Sequence, residues 1–262
     1  MNLTILITAS LNPTHPKIDF IQKVILSLEF VNIKSLNYST KIPVLLCHDA
    51  INPIKHYSDK NKLSSDKKRY DEYFINLEKF IKEYNNNSNF FNLIIIKNDK
   101  WGHLTGNLRN AIKYVHTEFM LVLQHDLPFC KSFDINSIIE DMKNNPQLKH
   151  IQFNRHNNLP IHWWKDKYNF FNSKNIKTDT NHYVSTLAWA DQNQLTTKKY
   201  YTDLVLKKCK DGCFMEAVLY KKNNSPKTHS IYGTYFFGKY NESKYITHIP
   251  ISTFWKGKYK IS

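Results

Sequence analysis

The stretch Gly106-Asn107-Leu108-Arg109-Asn110-Ala111-Ile112-Lys113-Tyr114-Val115-His116-Thr117-Glu118-Phe119-Met120-Leu121-Val122-Leu123-Gln124-His125-Asp126 decides how this 262-residue chain is read. Leu104, Leu108, Ala111, Ile112 and Val115 recur at helical spacing, which predicts an amphipathic helix. A short turn follows, and Phe119 to Leu123 is an unbroken apolar run ending in Gln124-His125-Asp126. A strand that is apolar on both faces needs cover on both faces, as in a parallel sheet flanked by helices.

The alternation continues upstream. Thr4 to Thr8 predicts a first strand, broken by Asn12-Pro13 and Pro16, and Ile18, Ile21, Val24, Ile25 and Leu28 predict a helix. Ile42 to Cys47 predicts a second strand that ends at His48-Asp49. Tyr70, Phe74, Leu77, Ile81 and Tyr84 mark a helix stopped by Asn85-Asn86-Asn87, and Phe91 to Ile96 reads as a third strand.

Beyond about residue 130 the pattern loosens. It predicts a helix at Asp134 to Met142, a strand at His150 to Phe153 and an aromatic polar loop at Trp163-Trp164. A strand at Tyr183 to Trp189 and helices at Lys198 to Leu206 and Phe214 to Tyr220 follow. Ile231 to Phe237 and Tyr245 to Ile249 are strand-like. The expected fold class is α/β: a mostly parallel sheet flanked by helices over 1–130, then a more irregular half over 131–262, together one continuous domain. Open α/β sheets bind ligands beyond the carboxyl ends of their strands. That rule directs attention to Thr8-Ala9-Ser10, His48-Asp49, Asn98-Asp99 and Gln124-His125-Asp126.

Lys and Arg number 37 against 22 Asp and Glu, a net charge of +15. Only Arg69, Arg109 and Arg155 are arginines, and the lysines are spread along the chain. Nucleic-acid readers cluster their basic residues on one element, so direct nucleic-acid binding is disfavoured. The charge still suits anionic ligands such as nucleotide phosphates. The apolar runs fall far short of the ~20 residues of a membrane helix. Met1-Asn2-Leu3-Thr4 lacks a signal-type charge and apolar run, and Cys47, Cys130, Cys209 and Cys213 are scattered. Reduced thiols in a cytoplasmic protein are expected.

The Gly106–Asp126 stretch resembles the core of inverting GT-A-fold glycosyltransferases, the family-2-like group. In that group an Arg-Asn pair opens a helix, and a short turn leads to a buried strand ending in Asp-x-Asp. Arg109-Asn110, the spacing and the Glu118-Phe119 entry match, whereas Gln124 stands at the first acid and only Asp126 remains. The resemblance implies a nucleotide-sugar donor contacted by Thr8, Ala9, Ser10, Asp49, Arg109, Gln124, His125 and Asp126. It implies Mn²⁺ or Mg²⁺ at Asp126, because hard cations on a departing diphosphate prefer carboxylate oxygens, with His248 as a second ligand. It places the general base at the start of a short helix, which singles out Glu216 in Asp211-Gly212-Cys213-Phe214-Met215-Glu216-Ala217, with Asp211 and Asp191 in reserve. The acceptor would be a glycan or other hydroxyl compound held by the second half.

Other readings stay open on the residues alone. Asp49 also suits a loop start, Arg109 a structural ion pair, Glu216 a solvated helix face and His248 a structural strand position. A nucleotidyltransferase would share the sheet and the metal acid. It normally carries a Gly-rich basic loop after the first strand, and Leu11-Asn12-Pro13-Thr14-His15-Pro16 has no glycine. A catalytically degenerate binding protein of the same fold is the reading that Gln124 favours.

Overall fold

Seven consecutive buried residues, Leu3–Ala9, form the strand β1, an interior strand of the sheet. The computed structural model describes residues 2–33, 41–52, 60–159, 174–187, 189–220, 222–223 and 225–249. After β1 come helix α1 (Asp19–Leu26), β2 (Val31–Asn32), β3 (Ile42–His48), the long helix α2 (Lys60–Asn87), β4 (Phe91–Lys97), α3 (His103–Ala111) and β5 (Phe119–Gln124). The second half adds β6 (Phe133–Asp134), α4 (Ile135–Asn144), β7 (His150–Gln152), β8 (Ile176–Lys177), β9 (His182–Ser185), β10 (Gln194–Thr197) and β11 (Thr234–Phe237). A helical stretch over 198–208, π-helical at Tyr201–Val205, follows β10, and helices Met215–Tyr220 and Pro226–Tyr232 precede β11.

The main sheet runs β4-β3-β1-β5-β10-β7-β11-β9-β8, and β2 pairs with β6 separately. β4, β3, β1 and β5 are mutually parallel. β10 is antiparallel to both β5 and β7, and β11 is parallel to β7 and antiparallel to β9. The first half is thus the parallel, doubly covered sheet expected from its apolar runs. The second half continues the same sheet in mixed orientation.

Side chains alternate across the sheet as a period of two requires. Leu3, Ile5 and Ile7 of β1 and Phe119, Leu121 and Leu123 of β5 pack against Val24, Ile25, Tyr73, Leu77 and Ile138. Leu6, Met120 and Val122 face the other way, onto Leu108, Ala111, Val115, Trp189 and Val205. Among the described residues no helix is long and apolar enough to cross a membrane.

The second half differs from the sequence reading in four places. β10, Gln194-Leu195-Thr196-Thr197, escapes an apolar-pattern reading because three of its four residues are polar. Two of those side chains are buried with partners: Gln194 Nε2 donates to Tyr201 Oη at 2.9 Å and Thr196 Oγ1 to the Lys149 carbonyl at 2.7 Å. Residues before Thr234 are helical rather than strand. Ser225 and Thr228 cap each other reciprocally at the start of that helix, and Gly233, at φ 56°, turns the chain out of it. The strand begun at His182 stops at Ser185, leaving Trp189 buried in a connection. Segment 245–249 makes one isolated bridge, Ile246 to Phe129, instead of a strand. Trp163-Trp164 lie outside the described residues.

Candidate active site at the strand ends

The chain leaves β1 toward β3 on one side and reaches β5 on the other, so the ends of these strands form a switch point where α/β sheets open a crevice. Backbone bonds join the ends there: Asp49 N donates to Ala9 O at 3.0 Å, Asn98 N to His48 O at 2.9 Å, and His125 N to Thr8 O at 3.1 Å. Asn107 of α3 is buried and donates through Nδ2 to Ala9 O at 3.2 Å and Cys47 O at 2.7 Å. One side chain thereby fixes the helix to two strand ends.

A cavity of about 390 Å³ occupies this crevice. Thr8, Ala9, Ser10, Asp49, Gln124, His125, Asp191 and Glu216 line it, all of them expected from the sequence. Trp101, His103, Leu104, Asn107, Arg155 and Phe214 complete the described lining and were not expected. Trp101 and His103 follow the end of β4, where the strand-end rule pointed only at Asn98-Asp99. Nothing local marks Arg155 or Phe214.

The Asp49 carboxylate is engaged with backbone. Its Oδ1 accepts from Ala50 N and from Gly102 N, each at 3.0 Å. Burial pushes its carboxyl above the ordinary 3.8, and the backbone donors oppose that rise. Gly102 is required by space, since a Cβ there would stand 2.7 Å from the Gly106 Cα. His103 follows at φ 55°, an uncommon backbone for a non-glycine residue. Its ring meets Trp101 edge-on at 6.1 Å and Phe214 at 6.0 Å, making an aromatic part of the cavity wall.

Two pairs of titratable groups matter here. The first, Asp126 and His248, is absent from the cavity's described lining but acts on His125, which is part of it. Asp126 Oδ2 lies 3.2 Å from His248 Nε2, and Asp126 Oδ1 is buried without a hydrogen-bond partner. Backbone bonds Thr247 N to Pro128 O and Ile249 N to Asp126 O, both 3.0 Å, dock the His248 segment. Among the described residues no third His, Cys, Asp or Glu joins them. Burial lowers the His125 imidazole below its ordinary range, and the Asp126 charge opposes that shift.

The second pair is Asp191 and Glu216, which hydrogen-bond each other. Burial and the neighbouring Glu216 push Asp191 up to about 7. Burial also raises Glu216, while the Asp191 hydrogen bond and the Arg155 charge pull it back. Gln124 anchors Asp191. Its Nε2 donates to the Asp191 carbonyl at 2.8 Å and to Asp191 Oδ1 at 3.0 Å. Its backbone N–H donates to Asn193 Oδ1 at 3.0 Å, and Asn193 Nδ2 reaches Leu127 O at 2.6 Å.

Arg109 and Asp211 sit apart from these pairs. Two residues along α3 turn the helix about 200°, so Arg109 faces away from the strand ends that Asn107 grips. Arg109 Nε pairs with Asp211 Oδ1 at 2.7 Å, and its terminal nitrogen donates to the Leu206 and Cys209 carbonyls. Both line a separate recess of about 270 Å³ with Asp99 and Lys113. Of the three expected base candidates, Asp191 and Glu216 therefore come together and Asp211 does not.

No protein-family model matches the chain, and no curated protein sequence matches it. Solved structures do. A structure of GalNAc-T7 with UDP, GalNAc and Mn²⁺ superposes at a TM-score of 0.53 with 8% identity, over 95% of this chain and 43% of that one. S. aureus TarS 1-349 in complex with UDP-GlcNAc aligns at 0.45 with 11% identity, over 100% of this chain and 62% of that one. A cytidylyltransferase from Leptospira borgpetersenii aligns at 0.46 with 11% identity, over 94% and 79%. The chain spans less than half of GalNAc-T7 and less than two thirds of the TarS fragment. The fold is GT-A-like α/β, with its mixed central sheet flanked by helices.

Proposed function

We propose that the chain is a glycosyltransferase that moves a sugar from a nucleotide-sugar donor to a hydroxyl acceptor, with inversion at the anomeric carbon. One observation carries this reading: the switch-point cavity has the neighbouring carboxyls Asp191 and Glu216 in its wall, together with His125, the chain neighbour of Asp126. The fold likeness to GalNAc-T7, solved with UDP, GalNAc and Mn²⁺, supports a nucleotide-sugar donor.

In this reading the nucleoside lies over Thr8, Ala9, Ser10 and Asp49, with the diphosphate toward His125 and Asp126. Asp126 and His248 fit a Mn²⁺ or Mg²⁺ ion. The unpartnered, buried Asp126 Oδ1 and the facing imidazole nitrogen offer two ligands, and such ions commonly take the rest from phosphate and water. When bound, the ion offsets charge on the departing diphosphate. Arg109, paired with Asp211 in its own recess, serves to hold the loop before Glu216 rather than to touch the donor.

Glu216 is the general base. It takes the proton from the acceptor hydroxyl as that oxygen bonds to the anomeric carbon. The bond to the diphosphate oxygen breaks, and its electron pair leaves with the diphosphate. Two carboxyls this close hold one proton between them near neutral pH. Asp191 keeps that proton and donates toward Glu216, and the Arg155 charge favours the ionised Glu216.

The test is thermal denaturation with UDP, GDP, dTDP and CMP, each with and without Mn²⁺. A ligand at about 100-fold over its Kd stabilises by about 2.7 kcal/mol, roughly 5–10 °C for a chain of this size. The expected result is a shift with one nucleotide, larger with Mn²⁺ and lost in Asp126→Ala. No shift with any of the four would overturn the reading and leave a degenerate binding fold.

A further inference from the structure

A second cavity, about 440 Å³, opens beside the first and shares four walls with it: Gln124, Arg155, Asp191 and Glu216. The acid pair therefore stands in the partition between the two. The rest of the second cavity comes mainly from the C-terminal half, and its described lining mixes the side-chain amides of Gln152, Asn154, Asn157 and Gln192 with apolar side chains that include Leu127 and Leu159. These amides are braced by bonds to one another and to the chain. Gln192 Nε2 donates to Gln152 Oε1 at 3.0 Å, Asn154 Nδ2 to Asn157 O at 3.0 Å, and Asn157 Nδ2 to Asn241 Oδ1 at 3.1 Å. Tyr220 and Phe236 supply an apolar edge.

We propose that this cavity binds the acceptor and that the acceptor is a neutral saccharide, presenting one hydroxyl to Glu216. The inference rests on the transferase reading above and adds the substrate class. A carboxamide offers donors and acceptors together, which matches sugar hydroxyls that both give and take hydrogen bonds. The chain carries a net charge of +15, yet the described lining contains no lysine and one guanidinium, that of Arg155, against two carboxyls. With one proton on the acid pair, its single negative charge is matched by Arg155, so the described lining offers no net positive charge to an acceptor bearing carboxylate or phosphate groups. An alkyl chain would leave the amides unpaired against it, which is costly. The C–H faces of a sugar ring pack on Tyr220 and Phe236. The volume lies in the range of small-molecule sites, roughly 300–1,000 Å³.

Saturation-transfer NMR on the full chain tests this, with the methyl glycosides of glucose, galactose and N-acetylglucosamine and a short Ser/Thr peptide as probes. Each is measured with and without the nucleotide that stabilises the fold. The expected result is binding of at least one glycoside. That binding weakens about tenfold in Gln192→Leu or Asn157→Leu, the loss of one or two hydrogen bonds, while the nucleotide-induced thermal shift persists. Nucleotide binding with no glycoside bound, or with the peptide bound instead, overturns the saccharide assignment and leaves the transferase reading standing. So does glycoside binding that neither variant weakens. Glycoside binding without any nucleotide binding keeps the saccharide site and overturns the transferase reading.

Discussion

Asp191→Asn separates the energetics of the acid pair from any question of activity. The Asp191 carboxyl is raised from the ordinary 3.8 to about 7, first by burial and then by Glu216. Between those two values the unfolded chain has released a proton that the folded chain still holds, so stability falls as pH rises through that window. One unit is worth about 1.4 kcal/mol, and the whole interval would be worth about 4 kcal/mol if Asp191 titrated alone and fully shielded. It titrates with Glu216 and is part-exposed, which reduces the expectation to roughly 1–3 kcal/mol. An amide has no proton to lose. Its oxygen accepts from Gln124 as Asp191 Oδ1 does, and its NH₂ donates to Glu216 as the protonated acid does. The variant should therefore escape the loss. Thermal denaturation of both proteins at about pH 5 and about pH 8 measures it. The advantage of Asp191→Asn in Tm should widen by roughly 2–8 °C at the higher pH. An advantage equal at both values, or one that narrows as pH rises, refutes the description of Asp191 as a carboxyl kept protonated by its surroundings.

Glu216→Gln should lower turnover by about 10²–10⁴ without lowering Tm, and full turnover in that variant removes Glu216 as base. Asp211→Asn breaks only the half-exposed pair with Arg109. It should cost about 0–1 kcal/mol and leave turnover within a few-fold; a loss like that of Glu216→Gln would return the base role to Asp211. Gly102→Ala must displace backbone, because the added methyl would meet the Gly106 Cα. Denaturant titration should show about 1–3 kcal/mol lost, together with the nucleotide-induced shift, since Gly102 N–H holds Asp49; an unperturbed variant would show that the α3 entry is more pliant than its packing indicates.

The strands that build the switch-point crevice were legible because each is a local pattern. Thr4 to Thr8, Ile42 to Cys47, Phe91 to Ile96 and Phe119 to Leu123 are apolar runs separated by helical stripes, and the structure extends each by one or two residues. The strand-end rule then pointed to Asp49, Gln124 and His125, which line the switch-point cavity. β10 was not legible, because Gln194 and Thr196 are buried through hydrogen bonds rather than through apolar character. That miss matters. β10 and the connection before it bring Asp191 to Gln124, 67 residues away in sequence. Glu216 and Asp191 could each be named from their neighbours, but their pairing depends on that long-range closure. Arg155 lies two residues beyond the expected strand at His150 to Phe153, and nothing in its surroundings distinguishes it from the chain's other basic residues. Arg109 misled for a related reason: its motif fixed a position on α3, and the helix turned that position away from the crevice.

Gln124 links these observations. By the sequence pattern it is a defect, the place where a metal-binding acid is missing. In the fold it is the hydrogen-bond donor that holds Asp191 against Glu216, through both the backbone carbonyl and the carboxyl oxygen. A carboxylate at 124 could not donate either bond. It would also set a third acid against two that already share a proton, and like charges that close are ionised only at high cost. The single acid at Asp126 and the paired acids at Asp191 and Glu216 are therefore two consequences of one residue. Gln124→Asp should not restore a two-acid metal site while leaving the pair intact; it should release Asp191 from its anchor and lower Tm, most steeply at high pH, where all three carboxyls are pressed to ionise. A variant with unchanged Tm across that range and tighter Mn²⁺ binding would show instead that Gln124 is a dispensable replacement and that the acid pair is held by other contacts.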